Sequence, residues 1–157
     1  MNAALETATP PTQSLHPLLA RLVEQTGAAL LDADRFDAWA GQPGVAMAVF
    51  VEDPERYKET LDLAVIVPEL HAVRRGRFRI ALLPPEAARL VARRYGFARW
   101  PAFVMLRDGR YLGAVDGIRD WDVYLEELDR LLAAAPSRPP TVGIPVSAAG
   151  AAESSCH

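Results

Sequence analysis

The segment at positions 95–110, YGFARWPAFVMLRDGR, constrains the fold of this chain more than any other stretch. Gly96 predicts the end of a helix, because glycine readily adopts the left-handed conformation that closes many helices. Trp100-Pro101 predicts a fixed turn, and the apolar residues 102–106 predict a strand. Asp108-Gly109 then predicts a tight turn into a return strand. The segment therefore indicates a helix that passes through a proline turn into a β-hairpin.

The rest of the chain alternates between strand and helix patterns. Continuous apolar runs predict strands at 29–31, 45–51 and 78–83. Apolar residues at helical spacing predict helices at 17–27, 34–40, 55–75, 86–94 and 120–134. Asp34 is the expected N-cap of the second helix, and Pro68 is expected to kink the third. This order predicts an α/β domain, a three-layer α/β/α sandwich whose mixed central sheet gains an antiparallel edge from the hairpin.

The composition indicates one domain with irregular ends. The chain has 157 residues, of which 50% are apolar, so it can bury one core of ordinary size. Residues 1–14 and 136–157 are rich in Ala, Pro, Ser and Thr without periodicity. Such segments bury too little surface to offset their ordering entropy. We expect a disordered N-terminal tail, one domain at 15–135 and a flexible C-terminal tail.

Charge and cysteine content exclude several classes of protein. The net charge of −3 creates no field that would attract nucleic acid or an anionic membrane. No apolar run approaches the roughly 20 residues that span a bilayer, and no N-terminal signal peptide is evident. The single cysteine, Cys156, cannot form an internal disulfide. These features predict a cytoplasmic protein that neither binds nucleic acid nor inserts into a membrane.

Two segments resemble known families. The order around Trp100-Pro101 resembles the second half of a thioredoxin-like domain, which implies a cis peptide bond before Pro101. Residues 56–70, RYKETLDLAVIVPEL, are similar to hydrogenase expression and formation proteins of the HyaE and HupG type. The most specific parts of this similarity are Glu59-Thr60-x-Asp62 and the segment 67–70. The resemblance covers about residues 16–132.

The HyaE and HupG resemblance implies a function without redox chemistry. Members of that family are thioredoxin-like but lack the pair of redox cysteines, whose positions correspond here to Thr60 and Leu63. They are thought to act as chaperones for the small-subunit precursor of uptake nickel-iron hydrogenases, which carries a twin-arginine signal peptide. The resemblance thus implies a non-catalytic chaperone without a cofactor. Its expected partners are that precursor, its signal peptide and, as a further option, other hydrogenase assembly proteins.

The candidate binding site combines carboxylates with the proline turn. Carboxylates accept paired hydrogen bonds from guanidinium groups, and a twin-arginine peptide presents two such groups beside an apolar segment. The alternative is that acids near a helix start only stabilise the helix dipole. Trp100 is a candidate apolar contact, whereas Phe97 is expected in the core. The predicted peptide-binding residues are Glu55, Glu59, Thr60, Asp62, Trp100 and Pro101.

Two other functions compete with the chaperone. One is a thiol oxidoreductase that uses Cys156 alone. The other is a scaffold that binds assembly factors through a run of bases. The simpler interpretation of this run, which we prefer, is a solvated helical face. This run comprises Arg74, Arg75, Arg77, Arg79, Arg89, Arg93, Arg94 and Arg99. Because the sequence contains no motif of a hydrolase, metal site or phosphate loop, we expect no catalytic residue and no metal ligand.

Overall fold

The computed structural model describes residues 15–140. The strands are β1 (Ala29–Leu30), β2 (Val45–Phe50), β3 (Arg79–Leu83), β4 (Ala102–Arg107) and β5 (Arg110–Asp116). The helices are α1 (Pro17–Thr26), α2 (Ala33–Ala40), α3 (Glu59–Val73), α4 (Pro85–Ala92) and α5 (Trp121–Leu132). Their order along the chain is that predicted from the sequence.

One mixed sheet organises these elements. Its strand order is β1-β3-β2-β4-β5. β3 pairs in parallel with β1 and β2, whereas β4 is antiparallel to β2 and to β5. The predicted α/β fold with a mixed sheet is therefore confirmed. Because Phe50 pairs with Ala102, the end of β2 lies beside the start of β4.

The continuously apolar β2 lies between two cores. Met47 and Val49 contribute to the core that contains the buried residues of α1, α3 and α5. Ala48 and Phe50 point to the opposite face, into the core with the buried residues of α2 and α4. Side chains of a strand alternate between the two faces of a sheet, so a strand covered on both faces is apolar throughout. Helices on both faces form the predicted three-layer sandwich.

The start of α2 differs from the sequence prediction. Asp32, and not Asp34, is the N-cap: its backbone is extended and its Oδ1 accepts a 3.0 Å hydrogen bond from the Arg35 N–H. Asp34 lies within the first turn of the helix. Both positions hold the same residue type, which suits a cap, so residue type alone does not distinguish them.

α3 also begins later than predicted. Residues 53–57 form a separate turn, in which the Asp53 carbonyl accepts hydrogen bonds from Arg56 N–H (3.0 Å) and Tyr57 N–H (2.8 Å). The helix begins only at Glu59, so Glu55 lies in the preceding turn. Pro68 lies inside the helix, as predicted.

The chain beyond α5 continues along the domain. Arg107 donates hydrogen bonds to the carbonyls of Leu132 and Ala134, both at 2.7 Å. The Ser137 N–H donates to the Tyr111 carbonyl at 2.8 Å. The first residues of the predicted C-terminal tail thus contact β5, while residues 141–157 and the predicted N-terminal tail lie outside the described residues. Within residues 15–140, every helix is too short or too polar to cross a membrane.

Candidate functional site

The start of α3 is attached to the chain that leaves β2. The Thr60 side chain has no exposed surface. Its hydroxyl donates to the Glu52 carbonyl at 3.0 Å and accepts from the Glu52 N–H at 3.3 Å. These two bonds satisfy backbone groups that no strand or helix pairs. Thr60, predicted to contact a peptide, therefore positions the loop around Glu52 and offers no surface of its own.

The proline turn lies at the same end of the sheet as the start of α3, because the end of β2 pairs with the start of β4. The Trp100–Pro101 peptide bond is cis, as the thioredoxin resemblance implied, and Pro101 is buried. The Asp116 carboxylate holds the approach to this turn, because its Oδ2 accepts hydrogen bonds from Ala98 N–H (2.9 Å) and Arg99 N–H (3.0 Å). Asp116 was not predicted from the sequence, because its role depends on a contact between residues far apart in the chain.

Asp116 remains charged at this position. Its partial burial alone would raise its pKa, but the two backbone N–H groups and the Arg119 guanidinium outweigh burial and lower the pKa. Arg119 donates to Asp116 Oδ1 at 3.2 Å. A carboxylate that accepts several hydrogen bonds is stabilised in its ionised form. The loop before Pro101 is therefore held by a carboxylate whose ionised form the folded structure favours.

The backbone of Trp100 is unpaired. Its neighbours are bonded: Arg99 N–H donates to Asp116, and the Pro101 carbonyl accepts from Gly117 N–H at 2.8 Å. Among residues 15–140, neither the Trp100 N–H nor its carbonyl has a hydrogen-bond partner. Polar backbone groups are normally paired with protein or water, so this pair is available to a ligand.

A groove of about 570 Å³ lies beside this backbone. The Phe97 ring lies at the groove. Its centroid is 5.2 Å from that of the Trp100 ring and 5.3 Å from that of the Phe50 ring, and both contacts are edge-to-face. Phe97 was predicted to be a core residue; it is half-buried and links the core to the groove. The groove is lined by Glu52, Arg89, Ala92, Arg93, Gly96, Phe97, Ala98 and Trp100.

Glu52 and Arg89 form an ion pair in the wall of the groove. Arg89 Nε lies 2.6 Å from Glu52 Oε2, and Arg89 Nη2 lies 2.7 Å from Oε1. The Arg89 guanidinium lowers the pKa of Glu52 despite the burial of that carboxyl. Both residues belong to charge runs in the sequence, but their pairing was not predicted. Their separation of 37 positions leaves no local signal.

The predicted carboxylates are exposed and unpaired. Glu59 and Asp62 lie in the first turn of α3, and Glu55 lies in the turn before it. Among residues 15–140, none of these three carboxylates has a hydrogen-bond or ion-pair partner. Lys58 is the N-cap of α3, and no side chain caps the helix through a hydrogen bond. The acids therefore act on the helix start only through its dipole and stay available to a cation.

The arginine run does not form one free cationic surface. Arg74 pairs with Asp129, Arg89 with Glu52 and Arg94 with Asp37. Arg79 donates to the carbonyls of Trp39 (2.8 Å), Gln42 (3.1 Å) and Pro43 (3.1 Å). Four of the eight bases thus have partners on separate elements, so the run as a whole does not form one continuous free surface.

The positions that correspond to the redox cysteines are both closed to solvent. Thr60 is fully buried and Leu63 is 1% exposed. Residues 15–140 contain no cysteine, and they bring together no group of three or more His, Cys, Asp or Glu side chains that could hold a metal ion. Cys156 lies outside the described residues.

The fold is similar to that of a solved thioredoxin. A mutant thioredoxin from Halobacterium salinarum superimposes with a TM-score of 0.52, covering 68% of this chain and 92% of that chain. The sequence identity of 20% limits this likeness to the fold. The thioredoxin-like architecture predicted from the sequence is confirmed.

The family model and the relatives that match this sequence all describe hydrogenase expression proteins. The family model described as hydrogenase-1 expression protein HyaE matches residues 18–124. The hydrogenase expression/formation protein HoxO of Cupriavidus necator is 43% identical over 94% of this chain and 92% of its own length. HupG of Rhodobacter capsulatus, which has the same description, is 32% identical over 80% of this chain and 91% of its own length. This chain belongs to the HyaE family of hydrogenase expression proteins.

Proposed function

We propose that this protein is a non-catalytic, cytoplasmic chaperone of hydrogenase maturation that binds the twin-arginine signal peptide of a small-subunit precursor before export. Membership of the HyaE family supports the link to hydrogenase. The buried Thr60 and Leu63, at the positions of the redox cysteines, support a role in binding instead of thiol exchange.

The observation that carries the proposal is the Trp100 backbone, which has no hydrogen-bond partner within the described residues 15–140. An extended peptide that lies along the turn can donate to the Trp100 carbonyl and accept from its N–H, as a strand does when it adds to a sheet edge. The half-buried rings of Trp100 and Phe97 offer an apolar surface next to these groups. Amphipathic aromatics are effective anchors for a bound peptide because they lose little entropy on binding.

The carboxylates of α3 provide the charge that such a peptide requires. Glu59 and Asp62 belong to the helix start that Thr60 attaches to Glu52, and Glu52 shares the groove with Trp100. Because the carboxylates of Glu59 and Asp62 have no ion-pair partner within residues 15–140, no existing ion pair has to break before they bind a cation. A twin-arginine motif can therefore bind them while its apolar segment contacts the aromatic rings.

The test is a titration of a labelled twin-arginine peptide followed by fluorescence anisotropy. The variant Glu59→Gln/Asp62→Asn removes two exposed charges at little steric cost. Exposed ion pairs contribute about 0.2–1 kcal/mol each, so the combined loss is expected to weaken binding roughly 2- to 30-fold. Raised salt should weaken binding to the parent protein more than to this variant.

A matched control comes from α5. Asp122 lies in the first turn of that helix and Glu126 one turn later, and both are exposed. Asp122→Asn/Glu126→Gln changes the net charge by the same amount at residues that do not line the groove, and should leave the affinity within about twofold, since it acts through charge screened by salt. Equal weakening by the two double variants would refute a specific carboxylate site.

A further inference from the structure

We propose that the C-terminal segment 142–146 of this chain docks in the groove beside Trp100 and Phe97. In doing so it would compete with the client peptide, a consequence that rests on the function proposed above. The docking itself does not depend on that function. It follows from where the described chain ends and from what comes next in the sequence.

The path of the chain leads from α5 toward the groove. Arg107 anchors the carbonyls of Leu132 and Ala134, so the direction in which the chain leaves the helix is set. Ser137 then bonds to Tyr111 on β5. The Tyr111 ring stacks on the Tyr95 ring, with centroids 5.8 Å apart. Tyr95 immediately precedes Gly96, so the chain reaches the wall of the groove.

Pro140 lies against that wall. A Cβ placed on Gly96 would lie only 2.5 Å from the Pro140 carbonyl oxygen, so the two backbones are in close contact. Gly96 itself lines the groove. The described chain therefore ends at the edge of the groove, and 17 residues, 141–157, follow. Segment 142–146 is within about 7–20 Å of Pro140 even when fully extended.

The apolar composition of segment 142–146 matches the apolar part of the groove wall. Residues 141–146 read TVGIPV, which is uncharged and presents Val142, Ile144 and Val146 at alternate positions. Pro145 favours an extended conformation at Ile144. The apolar part of the groove wall is formed by Ala92, Phe97, Ala98 and Trp100. The segment is joined to Pro140 by a short connection, so its effective concentration at the groove is in the millimolar range. Docking therefore costs less entropy than the binding of a separate peptide.

Disulfide trapping in the full-length chain tests the docking directly. In a Cys156→Ser background, Ile144→Cys is combined with Arg93→Cys, which lies on the groove wall, or with Val65→Cys as a control. Val65 is 54% exposed and lies on α3, outside the groove. Disulfides require Cα atoms within about 7 Å, so mild oxidation should give an intramolecular crosslink with position 93 at least about tenfold faster than with position 65. Equal rates, or crosslinks that join two chains, would overturn the proposal.

Competition is tested with charges placed in the tail. Val142→Asp/Ile144→Asp should release the groove and tighten binding of the labelled twin-arginine peptide about 3- to 10-fold, because the competent fraction increases. Ala149→Asp/Ala151→Asp adds the same charge beyond the segment and should change nothing. Tightening by both or by neither would overturn the competition. If no variant binds the peptide, the proposed function fails, whereas the crosslinking result still decides whether the tail docks.

Discussion

Replacement of Thr60 by valine tests how the start of α3 is attached to the groove. Valine has nearly the same shape as threonine, so the exchange removes the hydroxyl without creating a large cavity. The Glu52 N–H and carbonyl then lose the partner that both use. Because Thr60 is fully buried, water cannot readily replace the hydroxyl.

The expected loss follows from the two hydrogen bonds. An unsatisfied buried polar group costs about 1–3 kcal/mol, and the 3.3 Å bond from Glu52 N–H is the weaker of the two. We therefore expect Thr60→Val to lower the free energy of unfolding by about 2–3 kcal/mol. Thr60→Ser is the matched control, since it keeps the hydroxyl and loses one buried methyl, worth about 1 kcal/mol. Valine should thus be the more destabilising residue, although it is the more hydrophobic.

Urea unfolding followed by tryptophan fluorescence measures both variants. At this chain length, a difference of 1 kcal/mol corresponds to roughly 2–4 °C in Tm, so a thermal scan provides a second measurement. A valine variant as stable as the serine variant, or more stable, would show that the hydroxyl does not hold the Glu52 loop. If the loop around Glu52 moves in Thr60→Val, peptide binding should weaken as well; if it does not move, binding should be unchanged.

Two further predictions concern charge and sulfur. Arg89→Met should raise the pKa of Glu52, and because that pKa is lowered in the folded protein, the pair contributes stability above pH 4.5 that is lost as the pH falls through the lowered pKa. Urea unfolding at pH 7 and pH 3 should therefore show a larger difference between parent and variant at pH 7, and an equal difference would contradict the assignment. Cys156→Ser should leave both peptide affinity and hydrogenase maturation in cells unchanged, and loss of maturation would favour thiol chemistry.

The architecture could be predicted because local patterns carry it. The unbroken apolar run of β2 indicated burial on both faces, and each of its residues from Ala46 to Phe50 is fully buried. The Asp108-Gly109 turn predicted a hairpin, and both residues have the positive φ that such a turn requires. The predicted caps and helix starts were less accurate, since Asp32 and Asp34 are equally suitable by residue type.

The candidate site was predicted only in outline. Residues 56–70 indicated the family and the Trp100-Pro101 turn indicated the fold, because these segments are contiguous in the chain. The peptide-binding residues stay a prediction. The sequence did not indicate that Thr60 points inward, that Asp116 holds the turn, or that Glu52 pairs with Arg89. Each of these contacts joins residues that are brought together by strand pairing and helix packing.

The sequence alone thus determined the order of elements, the sheet's apolar strands and the absence of a cysteine pair, because periodicity and residue identity are local properties. Tertiary structure decided which charges are neutralised: Arg89 is committed to Glu52, while Glu59 and Asp62 have no ion-pair partner within residues 15–140. It also decided that the Trp100 backbone has no hydrogen-bond partner in this part of the chain. The physical reason is that a hydrogen bond or ion pair forms only when its two atoms lie within a few ångströms of each other. For residues far apart in the chain, only the packed fold sets that distance.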